Sequence, residues 1–267
     1  MSQYKIEAGT AQHIGDREEQ QDRTALLAAP KAPGYVMAVL ADGMGGMSGG
    51  SQAAEQVIRT AKQNFERFSP LTDTAEAILE TIAHEAHTLI KLTQMASSKE
   101  PHSTIVILIL TPDFKAYWTH VGDSRLYRFQ GPNCAERTID HSYAEKLVRE
   151  GKLTREEAAN HKLSNVLISA LGIDEQPATT VRRYEGLKAG DAFLLCSDGL
   201  WRYFTDVELG VAIAMNPPRQ ASELLIAKAR ERAQGTTADN CSMIIIKLAN
   251  PPEEKKDYTV KGIRRAV

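Results

Sequence analysis

Residues 38–50 read AVLADGMGGMSGG: an apolar run ends on the carboxylate of Asp42, and glycine fills five of the next eight positions. The apolar residues 35–41 predict a strand that is buried on both faces. Glycine lets the backbone approach a small charged ligand closely, although an Asp-Gly pair is also common in plain turns. A phosphate loop would need a lysine after its last glycine, and a dinucleotide-binding loop would need glycine where Ser48 stands. Two interpretations of this stretch therefore remain, a loop that binds a metal ion and a simple turn.

The segments around this stretch alternate between apolar runs and amphipathic ones. Helical spacing of apolar residues predicts helices over residues 50–68, 72–94, 205–215 and 218–234. Strands are predicted over residues 4–14, 35–41, 103–110, 115–121, 124–129, 192–197 and 241–248. The short turns after residues 110 and 121 favour hairpins and hence antiparallel pairing. Antiparallel strands separated by long helix pairs indicate an α+β fold.

The domain organisation follows from the ends of these patterns. We expect a single domain over residues 1–248. Within it, residues 140–172 carry charged helical segments broken by Gly151 and Asn160, which indicates a helical insertion at the edge of a sheet. Residues 249–267 contain two prolines and mixed charge with little to pack, so we expect a loose C-terminal tail.

Composition excludes several classes of function. The chain has 267 residues, of which 42% are hydrophobic and 25% charged, as is usual for a globular protein. Its formal net charge of -2 argues against general nucleic-acid binding, which needs a basic surface. We find neither a membrane-length apolar run nor a signal pattern, so we expect a cytoplasmic protein that does not bind membranes. The three cysteines are widely spaced and predict small buried side chains rather than disulfides or a zinc ribbon.

Aspartates recur where predicted strands meet glycine or small-residue turns. They are Asp42, Asp123, Asp198 and Asp239. Each alone is more often part of a plain turn. If neighbouring strands bring the four together, their carboxylates repel, so that either their pKa values rise or a cation neutralises them. Hard oxygen ligands of this kind suit Mg²⁺ or Mn²⁺.

Two further polar features each have more than one interpretation. Arg17 is by default a surface arginine, but the geometry of its guanidinium also suits bidentate phosphate binding. His84 and His87 lie in AHEAH, whose spacing differs from that of the HExxH zinc helix. With Glu80 and Lys91 they form one polar helix face, so we expect a solvated surface there.

Eight short motifs, taken in order, resemble those of the metal-dependent protein phosphatases, or type 2C serine/threonine phosphatases, in their bacterial form. They are R-x-x-x-Q-D (17–22), DGMGG (42–46), an apolar strand that opens with Ser103 and Thr104, GDSR (122–125), DHS (140–142), SALG (169–172), SDGL (197–200) and DN (239–240). The resemblance runs from about residue 8 to residue 248. Each motif is weak alone, whereas the ordered set is specific.

The resemblance implies a fold and a metal site. The fold is a four-layer α/β/β/α sandwich in which two central antiparallel sheets lie between helix pairs. The site holds two Mn²⁺ or Mg²⁺ ions. By motif, Asp42 would bridge both ions, the Gly43 carbonyl would bind one, and Asp198 and Asp239 would hold the other. Asp123 would bind a third, weaker ion together with Asp198.

The resemblance also implies catalytic roles. Arg17 would bind the phosphate, and Asp22 would orient metal-bound water. Residues 140–172 match the variable flap beside the site. In such sites two divalent ions share a bridging water, lower its pKa and direct it at phosphorus in line with the leaving group.

Four positions depart from the pattern of the family. Gln21 stands where many relatives have a glutamate that contributes to a metal's shell, so one ion is expected to bind more weakly. Met44 replaces the histidine of most eukaryotic members, which removes one candidate general acid. His102 stands where glycine is usual, and Ser169 where arginine is common.

The predicted function is metal-dependent hydrolysis of phosphoserine and phosphothreonine on proteins, which reverses a bacterial Ser/Thr kinase. Phosphoproteins and that kinase are the expected partners, and we expect a monomer. The alternative is a catalytically weak or inactive regulatory or scaffold protein with the same fold, which the departures at Gln21, His102 and Ser169 favour. The complete set of aspartates favours the enzyme. A metalloprotease built on AHEAH is excluded by the spacing of the histidines.

Overall fold

The computed structural model describes residues 5–45, 49–95, 100–159, 161–177 and 179–250. Along the chain its elements are β1 (Lys5–His13), β2 (Asp22–Ala28), β3 (Val36–Met44), α1 (Gly49–Arg67), α2 (Ala75–Met95), β4 (His102–Ser103), β5 (Ile105–Leu110), β6 (Lys115–Val121), β7 (Arg125–Gln130), β8 (Asn133–Arg137), α3 (Tyr143–Arg149), α4 (Arg155–Ala159), β9 (Arg182–Glu185), β10 (Asp191–Cys196), α5 (Asp198–Trp201), α6 (Asp206–Met215), α7 (Pro218–Arg232) and β11 (Cys241–Ala249). None of the helices in these ranges is long and apolar enough to cross a membrane.

Two antiparallel sheets form the middle of the molecule. The first has the strand order β1-β11-β10-β7-β8, and the second has the order β2-β3-β5-β6-β9, with β4 paired to β3. Apolar side chains such as Leu40, Val106, Phe193 and Ile244 fill the space between the sheets. The sheets thus share one buried layer because the central strands are apolar on both faces.

Helices cover the outer face of each sheet. Helices α1 and α2 pack on the second sheet through a cluster that includes Val57, Phe65 and Ile82. Helices α5, α6 and α7 pack on the first sheet through a cluster that includes Leu209 and Leu225. The four-layer α/β/β/α sandwich is therefore confirmed.

The predicted turn at Gly122 and Asp123 is not a hairpin. Strand β6 pairs with β5 and β9, whereas β7 pairs with β10 and β8 in the other sheet. Gly122 has a φ of 104°, and a Cβ there would lie 2.6 Å from the Cγ2 atom of Thr104. The hairpin prediction was wrong because a short turn of this kind also allows the chain to cross between sheets. This crossing places Asp123 at the rim that both sheets share.

Among the described residues, the insertion predicted over 140–172 is helical only before residue 160. It contains α3 and α4. Its return segment pairs with the start of the insertion through a bridge between Ser142 and Leu167, and with β4 through a bridge between Ser103 and Leu171. Ser142 caps α3, since its hydroxyl accepts a hydrogen bond from the backbone N–H of Glu145. We call residues 140–172 the flap from here on.

His87 is buried, which contradicts its assignment to a solvated face. Its ring is 0% exposed, and Nδ1 accepts a hydrogen bond of 3.2 Å from the backbone N–H of Gly172. Gln94 donates to the carbonyl of Gly172 at 2.9 Å. Burial lowers the pKa of His87. This side of α2 thus holds the end of the flap, whereas Glu80 and His84 are exposed as predicted and Lys91 is half-buried.

The cysteine prediction is confirmed for two of the three residues. Cys196 and Cys241 are buried, Cys134 is half-buried, and all three are free thiols. The single domain over residues 1–248 stays a prediction. Of the predicted tail, residues 251–267 lie outside the described residues, as does Gly46 of the DGMGG motif.

Candidate functional site

The four strand-end aspartates meet in one cleft. This cleft, of about 690 Å³, lies at the end of the sandwich where both sheets contribute loops. Six of the seven predicted site residues line it: Arg17, Asp42, Gly43, Asp123, Asp198 and Asp239. We call it the carboxylate cleft. Its lining contains seven acidic side chains and two arginines, so acidic groups outnumber basic ones there.

The backbone of Asp42 is fixed by the residues that follow β4. The backbone N–H of Asp42 donates to the hydroxyl of Thr104 at 3.0 Å, and its carbonyl accepts from the N–H of Thr104 at 2.8 Å. The hydroxyl of Ser103 donates to the same carbonyl at 3.1 Å. These contacts explain why Ser103 and Thr104 open the apolar strand, because they hold the strand position from which the Asp42 carboxylate projects.

Gly43 allows the backbone of β3 to pack directly against the backbone at the start of α1. A Cβ at this position would lie 2.0 Å from the carbonyl oxygen of Gly50, at the start of α1. Gly50 is limited in the same way, because its own Cβ would lie 2.6 Å from the Gly43 carbonyl oxygen. Part of the glycine content of residues 43–50 therefore seats α1 against β3. The binding of a metal by the Gly43 carbonyl stays a prediction.

Asp22 lies behind the cleft, next to Asp42. The two aspartates are paired in the register of β2 and β3, and Asp22 is 1% exposed. Ser197, from the other sheet, donates to its Oδ2 atom at 2.8 Å, while Oδ1 has no hydrogen-bond partner among the described residues. Burial raises the pKa of Asp22 to about 7, although hydrogen bonds from Ser242 and Ser197 oppose the rise. Asp22 is thus a buried carboxyl group whose protonated form is favoured by burial.

The pKa values of three of the strand-end aspartates, Asp42, Asp123 and Asp198, are also raised. Burial raises the pKa of Asp123 to about 7, with a further contribution from the charge of Asp198. Burial raises the pKa of Asp42 well above its ordinary value, and the charges of Asp22, Asp198 and Asp123 add to the rise. The pKa of Asp198 is raised by burial and lowered by Arg202. The cleft therefore stores electrostatic repulsion that a cation would relieve.

Two arginines supply part of the missing positive charge. Arg17 binds Asp239 through two hydrogen bonds, from Nε to Oδ1 at 2.9 Å and from Nη2 to Oδ2 at 2.7 Å. The Nη2 atom of Arg202 lies 2.7 Å from the Oδ2 atom of Asp198. Sequence reasoning missed Arg202, although its position four residues after Asp198 is the spacing of a helical ion pair.

Asn240 is a second residue whose role was missed. Its Oδ1 atom accepts from the backbone N–H of Gln21 at 2.7 Å, and its Nδ2 atom donates to the carbonyls of Ile14 and Glu19. These bonds hold the loop that carries Arg17. The pair DN at 239–240 was the signal, since an amide beside a carboxylate can hold a loop by its backbone.

The donor set suits a divalent cation, but the side chains are not arranged around one. Among the described residues, no three Asp, Glu, His or Cys side chains are grouped closely enough to hold a single ion. Arg17 and Arg202 occupy oxygens of Asp239 and Asp198 instead. Carboxylate oxygens and the open oxygen of Asp22 are the hard donors that Mg²⁺ and Mn²⁺ prefer. Ion binding would require Asp239 to release Arg17 and Asp198 to release Arg202.

The sequence matches known phosphatases over most of its length. The family model described as protein phosphatase 2C matches residues 9–223. The serine/threonine phosphatase stp of Listeria monocytogenes is 26% identical over 231 residues, which cover 84% of this chain and 86% of the relative. The serine/threonine protein phosphatase PstP of Mycobacterium tuberculosis is 28% identical over 213 residues, which cover 79% of this chain but only 40% of that longer relative.

Solved structures agree with these relatives. The serine/threonine phosphatase of S. agalactiae superposes with a TM-score of 0.82 at 23% identity and covers 91% of this chain and 99% of its own, which supports the fold. The catalytic domain of PstP in complex with two manganese ions has a TM-score of 0.74 at 25% identity and covers 91% of this chain and 98% of its own. The chain therefore belongs to the protein phosphatase 2C family.

Proposed function

We propose that the chain is a Mn²⁺- or Mg²⁺-dependent phosphatase that hydrolyses phosphoserine and phosphothreonine on proteins. The observation that carries this proposal is the convergence of Asp42, Asp123, Asp198 and Asp239 in one cleft, in a chain of the protein phosphatase 2C family. Such a cluster is costly to keep unless its charge is used. Relatives named serine/threonine phosphatases support the choice of substrate class.

The proposed metal ligands are the residues at the base of the cleft. Asp42, the Gly43 carbonyl, Asp198 and Asp239 would hold two ions, and Asp123 would hold a third, weaker ion together with Asp198. When bound, such ions supply a water nucleophile of lowered pKa and neutralise charge on the phosphate.

Other residues of the chain bind the substrate and move the proton. In the substrate complex Arg17 leaves Asp239 and binds two oxygens of the phosphate, for which its guanidinium has the right geometry. Asp22, paired with Asp42 in the register of β2 and β3, orients the nucleophilic water and can take its proton on Oδ1, which has no partner among the described residues. Thr104 and Ser103 keep the backbone of Asp42 in place throughout.

The proposed setting is bacterial signalling. We infer that the substrates are phosphoproteins made by a Ser/Thr kinase, and that the protein acts as a cytoplasmic monomer. One observation favours the alternative of a weak or inactive scaffold, namely the pairing of Asp198 and Asp239 with arginines rather than around an ion site. The two functions differ in whether Mn²⁺ binds and supports turnover.

Turnover of a phosphothreonine peptide in the presence of Mn²⁺ or Mg²⁺ tests the proposal. We expect hydrolysis that stops when EDTA is added and resumes with excess Mn²⁺. Asp198→Ala should lose at least about 100-fold in kcat, the order typical of lost electrostatic stabilisation at a catalytic centre. Asp174→Ala is the matched control, because that aspartate lies on the surface outside the cleft and pairs with Lys91. Full metal-dependent turnover by a folded Asp198→Ala protein would contradict the site.

A further inference from the structure

A second cavity adjoins the carboxylate cleft on the side of the flap. It has a volume of about 410 Å³ and lies between the core and helices α3 and α4. Asn165 and Arg202 line both cavities, so the two are neighbours that share one wall. We call this second cavity the flap-side pocket. Nothing in the proposed reaction uses it.

The floor of the flap-side pocket is a fixed structure. Arg125 forms two hydrogen bonds with Asp140, at 2.8 Å and 2.7 Å, and its guanidinium stacks on the ring of Trp201 at 3.5 Å from the ring centroid. The indole N–H of Trp201 donates to the carbonyl of Asp123 at 2.9 Å. The charge of Arg125 is therefore neutralised, and the floor is joined directly to the carboxylate cleft.

The walls of the pocket carry positive charge that is only partly neutralised. Arg155, from the flap, is 68% exposed, and its closest carboxylate oxygen, on Glu145, lies at 3.9 Å. Arg137, from β8, makes one contact of 3.3 Å with Asp206. Arg202 pairs with Asp198, which is a proposed metal ligand and would release it when an ion binds. The pocket is lined by four arginines but by only two acidic side chains, Asp140 and Glu145.

This charge is opposite in sign to that of the neighbouring cleft. A single substrate segment that enters both cavities would meet the metals with its phosphate and the arginines with an adjacent side chain. An extended chain spans at most about 3.3–3.6 Å per residue, so a side chain one to three residues from the phosphorylated residue could reach across the shared wall. A guanidinium-rich wall favours a carboxylate there.

We propose that the flap-side pocket binds an aspartate or glutamate side chain located within about three residues of the phosphorylated residue of the substrate. This inference rests on the proposed phosphatase function and names the class of phosphoprotein that the enzyme prefers. Arg155 and Arg137 are its specificity-determining residues. Because Arg155 lies on the flap and Arg137 on the edge strand β8, the preference depends on residues other than the proposed metal ligands.

Paired phosphothreonine peptides test this inference. One peptide carries glutamate at the three positions on each side of the phosphothreonine, and the other carries glutamine at the same positions. We expect kcat/KM to be about fivefold higher for the acidic peptide at low salt, as two partly exposed ion pairs allow. Arg155→Glu should reduce the ratio of the two kcat/KM values to one or less, and Arg155→Gln should reduce it part of the way.

The control places the same change of charge elsewhere on the flap. Lys152→Glu alters a surface residue that pairs with Glu150 and does not line the pocket, so it should keep the ratio of the wild-type protein. Equal losses in Lys152→Glu and Arg155→Glu would overturn the pocket assignment in favour of a general charge effect. A wild-type ratio of one would overturn the inference outright.

Turnover of p-nitrophenyl phosphate separates this inference from the function on which it rests. A wild-type protein that hydrolyses p-nitrophenyl phosphate and both peptides equally retains the proposed function and lacks the proposed specificity. A protein that hydrolyses none of the three with Mn²⁺ fails as a phosphatase, and the inference fails with it. Because the readout is a ratio for each protein, changes in basal activity cancel.

Discussion

The carboxylate cleft and the flap-side pocket share Arg202 and Asn165 but are built in different ways. The cleft takes its charged groups from strand ends and turns in the two sheets, and Asp123 is buried among them. The pocket has Arg125 of β7 and Asp140 as its floor, and it takes its other charged groups from the edge strand β8, from α3 and α4 and from the segment that follows α5. The proposed catalytic groups are thus positioned by the sheets, whereas the proposed substrate preference depends on the flap and on the sheet edge beside it.

The largest expected effect on activity is that of substituting Arg17 in the cleft. Arg17→Ala should lower kcat/KM by about 100-fold or more, because two charge-assisted hydrogen bonds to the phosphate are lost in the transition state. The measurement is steady-state turnover of a phosphothreonine peptide with saturating Mn²⁺. Arg219→Ala, which alters an exposed arginine on α7 paired with Glu223, should be silent. If Arg17→Ala kept normal kcat/KM, Arg17 would serve only to neutralise Asp239.

The support of Asp42 should matter for folding as well as for activity. Thr104→Val keeps the shape of a fully buried side chain but removes the hydroxyl that accepts from Asp42 and contacts the Ser124 hydroxyl at 2.7 Å. The free energy of unfolding should fall by about 1–3 kcal/mol, the cost of leaving buried polar groups unpaired. Urea denaturation measures the loss.

An exposed threonine provides the control for the loss of stability expected in Thr104→Val. Thr81→Val removes an exposed hydroxyl that donates to the carbonyl of Ala77 within α2, and it should change stability by less than about 0.5 kcal/mol. Equal effects of the two substitutions would mean that the contacts of Thr104 do not hold β3 in place.

Much of the fold could be predicted, and the strands that were missed have a common physical reason. The central strands β3, β5, β10 and β11 are nearly continuous apolar runs. The missed strands β2, β8 and β9 all lie at sheet edges, where one or both faces are open to solvent and no apolar run is required.

The candidate site could be predicted as a set of residues but not as a set of contacts. The four aspartates were found because each stands beside a strand end and a small-residue turn, a local feature of the sequence. The pairing of Arg17 with Asp239 joins residues 222 positions apart, and the burial of His87 depends on where the flap returns. Such contacts follow from tertiary packing, which local patterns do not specify.

Arg202 lines both cavities, and its substitution should have a smaller effect, on the affinity for Mn²⁺. Arg202→Ala frees Asp198 from its ion pair, so Mn²⁺ should bind several-fold more tightly, since the ion no longer competes with a guanidinium. Exposed and half-exposed ion pairs contribute about 0.2–1 kcal/mol, which corresponds to at most about fivefold in affinity. Isothermal titration with Mn²⁺ measures the change. Weaker binding in Arg202→Ala would show that the arginine assists the ion rather than competing with it.

The smallest expected effect concerns pH. The folded protein holds the pKa of Asp22 and Asp123 near 7, above the unfolded value, so the folded state binds more protons than the unfolded state between about pH 4 and 7. The stability that these groups contribute is therefore greatest at low pH and is lost as pH rises through about 7. Without metal, Tm should fall by about 3 °C or more between pH 6 and pH 8.

Mn²⁺ should reverse this trend, because the ion binds the ionised carboxylates. The rise in Tm on adding Mn²⁺ should be larger at pH 8 than at pH 6, where protons compete for the same oxygens. Scanning calorimetry at the two pH values, with and without Mn²⁺, measures both changes. A metal-induced rise in Tm that is the same at both pH values would contradict the raised pKa of these aspartates.

The central claim is that carboxylates from distant parts of the chain act together as ligands of divalent cations, and direct titration of the metal-free protein with Mn²⁺ tests it. The account predicts two bound ions in the wild-type protein, one of them weaker because of Gln21, the loss of both in Asp42→Ala and the loss of one in Asp239→Ala. Absence of Mn²⁺ binding by the folded wild-type protein, or unchanged binding in Asp42→Ala, would contradict it.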